Sequence, residues 1–187
     1  MDTQKSKRYE VRLAGEGGQG LLLAGLILAE AAAIYDGKNA AQTQSYGPEA
    51  RGGASKSEVV ISDEEIDYPK VINADLLLCL SQEACDKYYH NLKKNGILIV
   101  DTDHVKSVPT SRAYRLPITA IAQEVTGRRI TANIVSLGLI AGLTGIVSRK
   151  ALEAAVKARV PRGTEEINLQ ALAAGFEEAE KLKRQEE

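Results

Sequence analysis

The chain has 187 residues, of which 44% are hydrophobic and 26% charged, and its formal net charge at pH 7 is −1. These values predict one soluble globular domain and exclude recruitment of nucleic acid, anionic lipid or acidic substrates by overall charge. With no tryptophan and one phenylalanine, the chain has few side chains on which single-stranded nucleic acid could stack. We therefore expect no nucleic-acid partner.

The first ten residues, MDTQKSKRYE, are polar and charged and lack the apolar core of a signal peptide. The longest apolar helical segment, residues 21–34, contains Glu30 and is shorter than the about 20 residues that cross a bilayer. We therefore expect a cytoplasmic protein with no membrane partner.

Strand patterns and helix patterns alternate over the first two thirds of the chain. The predicted strands are YEVRLAG, KNAAQTQS, ASKSEVVIS, ADLLLCLS, NGILIVDTD and RAYRLPI. The predicted helices between them are residues 18–35, a helix from the N-cap Ser81 to about His90, and residues 118–125 after Pro117. From Thr131 onward the chain is predicted to be helical, in the segments TANIVSLGLIAGLTGI, SRKALEAAVKARV with Ser148 as N-cap, and TEEINLQALAAGFEEAEKLKRQEE.

This alternation predicts a mostly parallel sheet with right-handed crossovers. The chain shows no linker, repeat or second domain, so we expect residues 1–187 to form a single three-layer α/β/α domain with a helical C-terminal third. The apolar segment 133–146 is either a core helix or a subunit contact. We favour the core, because a helix that is apolar on all sides is usually buried.

Metal ligands are sparse in this sequence. Cys79 and Cys85 form neither a CxxC motif nor a Cys/His cluster, and His90 and His104 are isolated. We expect buried or inert thiols in a reducing compartment and solvated histidines. We therefore expect no zinc and no iron–sulfur cluster in this chain alone.

The stretch LAGEGGQGLLLAGLILAEAA, residues 13–32, leads from the first strand through a glycine-rich turn into a helix. Gly15 is expected to permit a tight turn after the strand. Gly17 and Gly18 leave room for a ligand or another backbone, and Gly20 lets the helix pack close to the strand. The N-terminus of the helix offers free N–H groups and a partial positive charge, so that this turn, including Gln19, is a candidate phosphate site.

Two further interpretations of the turn remain open. The spacing G-x-G-x-x-G is typical of dinucleotide-binding folds, which makes an independent Rossmann-like nucleotide-binding protein the alternative function. Such a fold needs an acidic residue about 20 residues further on, whereas the second strand ends in QTQSYG and Asp36 precedes it. The glycines could also serve only packing and docking. A P-loop is disfavoured because the turn has neither its lysine nor its hydroxyl.

A second unusual loop begins at SYGPEARGG, residues 45–53, in which Tyr46, Glu49 and Arg51 are expected to project. If the second strand lies beside the first, this loop emerges at the same carboxyl edge as the glycine turn. Arg51 is then a candidate to bind a phosphate or carboxylate; the alternative is that it pairs with Glu49 or with the backbone and holds the loop together. The candidate residues of this loop are Ser45, Tyr46, Arg51, Gly52 and Gly53.

Together, GEGGQGLLLAGLILAEAA and QSYGPEARGGASKSEVVIS resemble the gamma subunit of 2-oxoacid:ferredoxin oxidoreductases. The likeness continues through ADLLLCLS, NGILIVD, TANIVSLGLIAG and NLQALAAGFE and covers about residues 8–178. Pyruvate-type members more often have FGPERRGAPV in the second loop. This chain has Ala50 and Gly53 in place of the first arginine and the alanine of that pattern, and in this it resembles the 2-oxoglutarate branch.

The resemblance implies a subunit resembling domain III of pyruvate:ferredoxin oxidoreductase, with no catalytic residue and no activity alone. Such complexes oxidatively decarboxylate a 2-oxoacid to its acyl-CoA and reduce ferredoxin. Thiamine diphosphate with Mg lies between the alpha and beta subunits, and iron–sulfur clusters lie in beta or a ferredoxin-like delta part. The resemblance places the gamma subunit near the coenzyme A route, so Arg51 and residues 15–20 are candidates for binding its phosphates.

Overall fold

A computed structural model describes residues 8–45 and 53–187, which contain one sheet of six strands. The strands are β1 (Tyr9–Glu16), β2 (Asn39–Ser45), β3 (Ala54–Ser62), β4 (Ala74–Cys79), β5 (Leu92–Asp101) and β6 (Ala113–Leu116). The α-helices are α1 (Leu21–Glu30), α2 (Gln82–Tyr88), α3 (Ile118–Thr126), α4 (Ala132–Thr144), α5 (Arg149–Arg159) and α6 (Glu165–Glu186). A π-helical turn, Ala31–Tyr35, extends α1, and single 3₁₀ turns, Tyr89–Asn91 and Arg129–Thr131, follow α2 and precede α4.

The strand order is β2-β3-β1-β4-β5-β6. Strands β1, β4, β5 and β6 are parallel, whereas β3 runs antiparallel to both β1 and β2. The expected mostly parallel sheet is therefore confirmed. Strand β3 cannot be parallel to β2, because the connection 46–53 is shorter than the dozen or so residues that a parallel crossover needs.

The condition placed on the second loop, that β2 lies beside β1, is wrong because β3 lies between them. The loop nevertheless starts and ends at the expected edge. Ser45, the last residue of β2, pairs with Lys56, and Ala54 at the start of β3 pairs with Glu16 at the end of β1. Two antiparallel pairings thus bring the ends of the connection to the carboxyl end of β1.

Each face of the sheet is covered by its own set of helices. On β1, Val11 and Leu13 pack into a large core with α1, α3, α4, α5 and α6. Ala14 packs on the opposite face with α2, in a smaller core that includes Leu77 and Val100. The three-layer α/β/α expectation is confirmed, with more helices on one face of the sheet than on the other.

Helix α4 belongs to the core, as expected. Every residue from Ala132 to Ala141 is buried. It crosses α6 where Gly138 faces Gly175, and a Cβ on Gly138 would overlap the carbonyl oxygen of Leu172. The glycines of this segment therefore permit contact between the two helix backbones.

Local signals for helix starts are also confirmed. The Ser81 hydroxyl accepts from the Ala84 amide at 3.2 Å, and the Ser148 hydroxyl accepts from the Ala151 amide at 3.1 Å. These bonds begin α2 and α5 by satisfying amides that the helix leaves free. Within residues 8–45 and 53–187, no helix has both the length and the hydropathy that a membrane span requires.

Cys79 ends β4, and Cys85 lies in α2; both side chains are buried, as expected. A hydrogen bond between the two thiols, together with burial, raises the pKa of Cys79, and the same bond lowers the pKa of Cys85. In the part of the chain that the structure describes, no group of three or more His, Cys, Asp or Glu side chains could hold a metal ion.

The Gly138→Ala substitution should lower the free energy of unfolding by about 1–3 kcal/mol or more, because the added methyl meets a backbone carbonyl that cannot rotate away. Thermal unfolding of the purified chain measures this effect. Gly17→Ala is the matched control, because no atom lies within 4 Å of the added Cβ. Equal stability of the two variants would contradict the close crossing of α4 and α6.

Candidate functional site

The glycine turn lies at the point of the sheet where the strand order switches: the strands on one side of β1 are β3 and β2, and those on the other side are β4, β5 and β6. From β1 the chain passes through α1 to β2 on one side, whereas β4 lies on the other side of β1. In open α/β sheets, ligands bind outside the carboxyl ends of the strands at such a switch point. Here the crevice between β1 and β4 is closed by Gln19 from the turn itself.

The Gln19 amide fixes the turn through two hydrogen bonds. Its Oε1 accepts from the Glu16 backbone N–H at 2.7 Å, and its Nε2 donates to the Leu80 carbonyl oxygen at 2.9 Å. Gly15 makes room for this side chain, since a Cβ there would overlap Gln19 Oε1. The expectation that Gly15 permits a tight turn is therefore corrected: Gly15 lies within β1 and is needed for close approach of Gln19.

Gly20 also has a different role from the one expected. It is the N-cap of α1 with φ 72°, a left-handed conformation that glycine adopts without strain. A Cβ on Gly20 would overlap Asn133 Nδ2 of α4, which donates to the Gly20 carbonyl at 3.0 Å. Gly20 therefore allows α4, rather than a strand, to approach the turn.

Gly17 and Gly18 face open space, since a Cβ on either would have no atom within 4 Å. Gly18 has φ 88°, which disfavours other residues at this position. The N-cap Gly20 supplies no side-chain acceptor to α1. The first turn of α1 thus keeps the capacity to bind an anion that the sequence predicts.

Two clefts flank Gly18, and we name them by the strand on each side. The β3-side cleft has a volume of about 290 Å³, and the β5-side cleft about 320 Å³. The β3-side cleft is lined by Glu16, Gly17, Gly18, Gly20, Leu21, Leu22, Gln44, Ser55 and Lys56. The β5-side cleft is lined by Gly18, Gln19, Leu80, His104, Thr119, Arg129, Ile130 and Ala132. A larger cleft of about 570 Å³, between β6 and the end of α6, contains none of the predicted site residues.

The β3-side cleft has charges of both signs. Lys56 Nζ lies 2.9 Å from Oε1 of Glu58, and the buried Arg12 donates from Nη2 to the other oxygen, Oε2, at 2.8 Å. This cluster has two cations for one carboxylate and therefore one net positive charge. Glu16 opposes it from the same cleft and is exposed.

The β5-side cleft rests on two aspartates whose role the sequence analysis missed. Buried Asp101 accepts from both the backbone N–H and the hydroxyl of Thr119, and Asp103 accepts from the Ala120 N–H at 2.7 Å. These bonds cap the N-terminus of α3 from the end of β5. The D-T-D sequence was a visible signal, but its partners lie 17 and 18 residues away in sequence. His104 Nε2 is 4.0 Å from Asp101 Oδ2.

The predicted site residues fall into two groups. The structure brings Gly15, Gly17, Gly18, Gln19 and Gly20 together at the carboxyl edge, with Gly53 just before β3. The backbone of Ser45 ends β2 at the same edge. Tyr46, Arg51 and Gly52, together with Glu49, lie outside the described residues.

Two observations count against a dinucleotide site. The neighbour of β1 on this side is β3 rather than β2, and the last residues of β2, Gln44 and Ser45, supply no carboxylate to the cleft beside the turn. Asp36, the acid nearest to β2 in sequence, accepts hydrogen bonds from the Ser148 backbone N–H and hydroxyl, both at 2.7 Å. Its carboxylate therefore holds α5 and does not face the glycine turn.

The Gln19→Ala substitution should lower the free energy of unfolding by about 1–3 kcal/mol, because it leaves the buried Leu80 carbonyl without its donor. Hydrogen exchange should also show lost protection at the Glu16 amide. Gln123→Ala is the matched control, since Gln123 is exposed on α3. Unchanged exchange at Glu16 would contradict the role of Gln19.

Comparison with known proteins shows similarity to one protein family over nearly the whole chain. Residues 10–178 match the family model described as pyruvate ferredoxin/flavodoxin oxidoreductase. The chain is 55% identical to 2-oxoglutarate synthase subunit KorC of Methanocaldococcus jannaschii over 94% of this chain and 96% of that one. It is 36% identical to ketoisovalerate oxidoreductase subunit VorA of Methanothermobacter thermautotrophicus over 95% of this chain but 38% of that one.

The fold agrees with this placement. The crystal structure of the keto/oxoacid ferredoxin oxidoreductase gamma subunit from Geobacter sulfurreducens matches with a TM-score of 0.85 and 53% identity, over 93% of this chain and 97% of that chain. These similarities confirm the resemblance drawn from the two loops and do not favour an independent nucleotide-binding protein. The chain belongs to the pyruvate ferredoxin/flavodoxin oxidoreductase family.

Proposed function

We propose that this chain is the gamma subunit of a 2-oxoglutarate:ferredoxin oxidoreductase and that its glycine turn helps to bind coenzyme A. The observation that carries the subunit assignment is 55% identity over almost the whole length of a 2-oxoglutarate synthase subunit. Identity to the ketoisovalerate subunit is lower, at 36%. This difference supports 2-oxoglutarate as the oxoacid of the complex.

We infer the partners of this chain from a longer relative, of which the chain matches only one part. The chain aligns with 38% of VorA, in which the same domain is part of a longer polypeptide. The relative KorC of Methanocaldococcus jannaschii, which is named a subunit, matches over 96% of its own length, and we infer from it that those other domains are separate subunits here. We assign these to alpha and beta subunits with a ferredoxin-like delta part, which would hold thiamine diphosphate, Mg and the iron–sulfur clusters in the cytoplasm.

Coenzyme A is the ligand that suits the glycine turn. Its phosphates need an anion site, and the uncapped N-terminus of α1 with the open backbone at Gly18 supports such a site, although the exposed carboxylate of Glu16 lines the same cleft. The ends of the connection 46–52 lie at this edge, so that Arg51 is close enough in sequence to add a bidentate contact. The chain would bind and orient the thioester-forming cofactor without taking part in bond making.

Turnover of the reconstituted complex tests this function. With coenzyme A as the acyl acceptor and methyl viologen as the electron acceptor, the assembled subunits should oxidise 2-oxoglutarate faster than pyruvate. This chain alone should be inactive. Turnover by the single chain, or a native protein that is strictly monomeric, would refute the subunit role. Preference for pyruvate would refute the substrate.

Arg51→Ala separates coenzyme A binding from a role in docking alone. We expect a raised KM for coenzyme A in a complex that still assembles. Weaker assembly with an unchanged KM would instead support a loop that serves only subunit contacts.

Glu16→Gln should lower the KM for coenzyme A several-fold, because it removes a negative charge from the cleft that receives the phosphates. The fold of the turn should survive, since Glu16 contributes its backbone N–H rather than its side chain to the Gln19 bond. The matched control is Glu177→Gln on α6, which changes the net charge equally at an exposed position. A KM that is unchanged or raised in Glu16→Gln would place the phosphates elsewhere.

A further inference from the structure

The cleft of about 570 Å³ between β6 and the end of α6 has no role in the function proposed so far. We propose that this edge of the sheet binds an extended segment of an adjoining subunit, in which acidic side chains alternate with apolar ones, as an added strand beside β6. The inference rests on the proposed role of the chain as a subunit. It names one contact that holds the chain in its complex.

The outer edge of β6 is not paired with another strand of the described chain. In the strand order β6 comes last, with β5 as its one neighbour. The Leu116 carbonyl oxygen accepts from the Thr102 N–H at 2.9 Å, so Leu116 directs its backbone groups towards β5. Because successive residues of a strand direct these groups to opposite sides, those of Ala113 and Arg115 point away from the sheet. An added strand can pair with them.

The cleft follows this edge rather than one face of the sheet. Its lining includes every residue of 111–115, although the side chains of a strand alternate between the two faces. The end of α6 forms the other wall with Leu182 and Glu186, and the Tyr114 hydroxyl donates to Glu186 at 2.7 Å. An exposed strand edge in a groove is the setting in which an extended peptide adds to a sheet.

The two faces beside β6 differ in their chemistry. On the face covered by α6, Tyr114 and Ile97 pack against the large core and line the cleft. On the opposite face, Ala113 packs against the smaller core beside α2. Arg115 projects on this second face, because it lies two residues after Ala113 in the strand. An added strand would therefore meet an apolar surface on one face and positive charge on the other.

The positive charge at this edge is not neutralised by the described part of the chain. Arg112, Arg115 and Lys94 are exposed, and no ion pair joins them to an acid within residues 8–45 and 53–187. A second cleft of about 340 Å³ is lined by Arg112 and Lys94 and by no acidic side chain. Acidic side chains at every second position of the added strand would complement these cations.

The same charges argue against a second copy of this chain as the occupant. Two paired copies of β6 would bring Arg112 and Arg115 of one copy close to the same residues of the other, and facing like charges destabilise a strand pair. Strand β6 is also only 4 residues long, as is typical of edges that resist pairing with their own copies. An acidic segment of a different chain is attracted by both arginines.

Ala113→Pro tests the added strand. Proline removes the N–H that points away from β5 and is tolerated at the first residue of an edge strand, so the pairing with β5 should survive. In titrations against the complex of the remaining subunits, this variant should bind about tenfold more weakly than the unsubstituted chain. Ala113→Val is the matched control and should bind as the unsubstituted chain does, because valine is similar in size to proline and keeps the N–H.

Hydrogen exchange provides a measurement that needs no substitution. The Arg115 amide should exchange fast in the isolated chain and become protected in the assembled complex, because a carbonyl oxygen of the added strand accepts its hydrogen bond.

A double variant tests the acidic chemistry of the segment. Arg112→Gln combined with Arg115→Gln should weaken binding and make it less sensitive to salt, because the attraction to acidic side chains is lost. Lys150→Gln combined with Lys157→Gln is the matched control, since it changes the net charge equally at two exposed positions of α5.

Each part of the proposal can fail separately. Equal binding by Ala113→Pro and Ala113→Val, or an Arg115 amide that exchanges equally fast in the complex, would overturn the added strand. Equal weakening by the two double variants would overturn the acidic segment, and an isolated chain whose dimer is lost in Ala113→Pro would show a second copy as the occupant. If the unsubstituted chain does not join the other subunits, the proposed function itself is refuted, whereas the other outcomes leave that function standing.

Discussion

The amide of Gln19 is the contact on which the site depends. It fills the crevice between β1 and β4 that a ligand would otherwise occupy, and it joins the turn to the Leu80 carbonyl. With that crevice closed, the N-terminus of α1 and the open backbone at Gly18 become the surfaces left for a ligand. The side chain also forms part of the wall of the β5-side cleft.

A cluster of charged side chains lies on one face of the sheet near the turn. On the face covered by α2, Glu58 binds both Arg12 and Lys56, and Arg12 and Glu58 are buried. A buried pair of this kind adds little to stability, because desolvation offsets the attraction. The shared carboxylate holds the Lys56 amine at 2.9 Å, and the same amine lies 5.5 Å from the centre of the Tyr88 ring in α2.

The sequence predicts those structural features that depend on residues close together in the chain. Ser81 and Ser148 were recognised as N-caps because the amides that they bind lie three residues further on. The insertion of β3 between β2 and β1 was not recognised, because strand alternation carries no information on sheet order. Gly20 was assigned to the wrong neighbour for the same reason, since Asn133 is 113 residues away. The caps that Asp101 and Asp103 provide for α3 also depend on the folded chain.

If the chain binds coenzyme A as proposed, it can change the rate of its complex without contributing a catalytic residue. The phosphates of coenzyme A lie far from the reacting thiol, so binding them supplies free energy that positions the thiol rather than activating it. This positioning requires a rigid anion site. The turn meets that requirement because Gln19 fixes it to β4 and Asn133 fixes it to α4, so that the sheet and the core helix hold it from two sides. A separate chain that binds the distant end of the cofactor can therefore influence kcat as well as KM, although it touches no reacting atom.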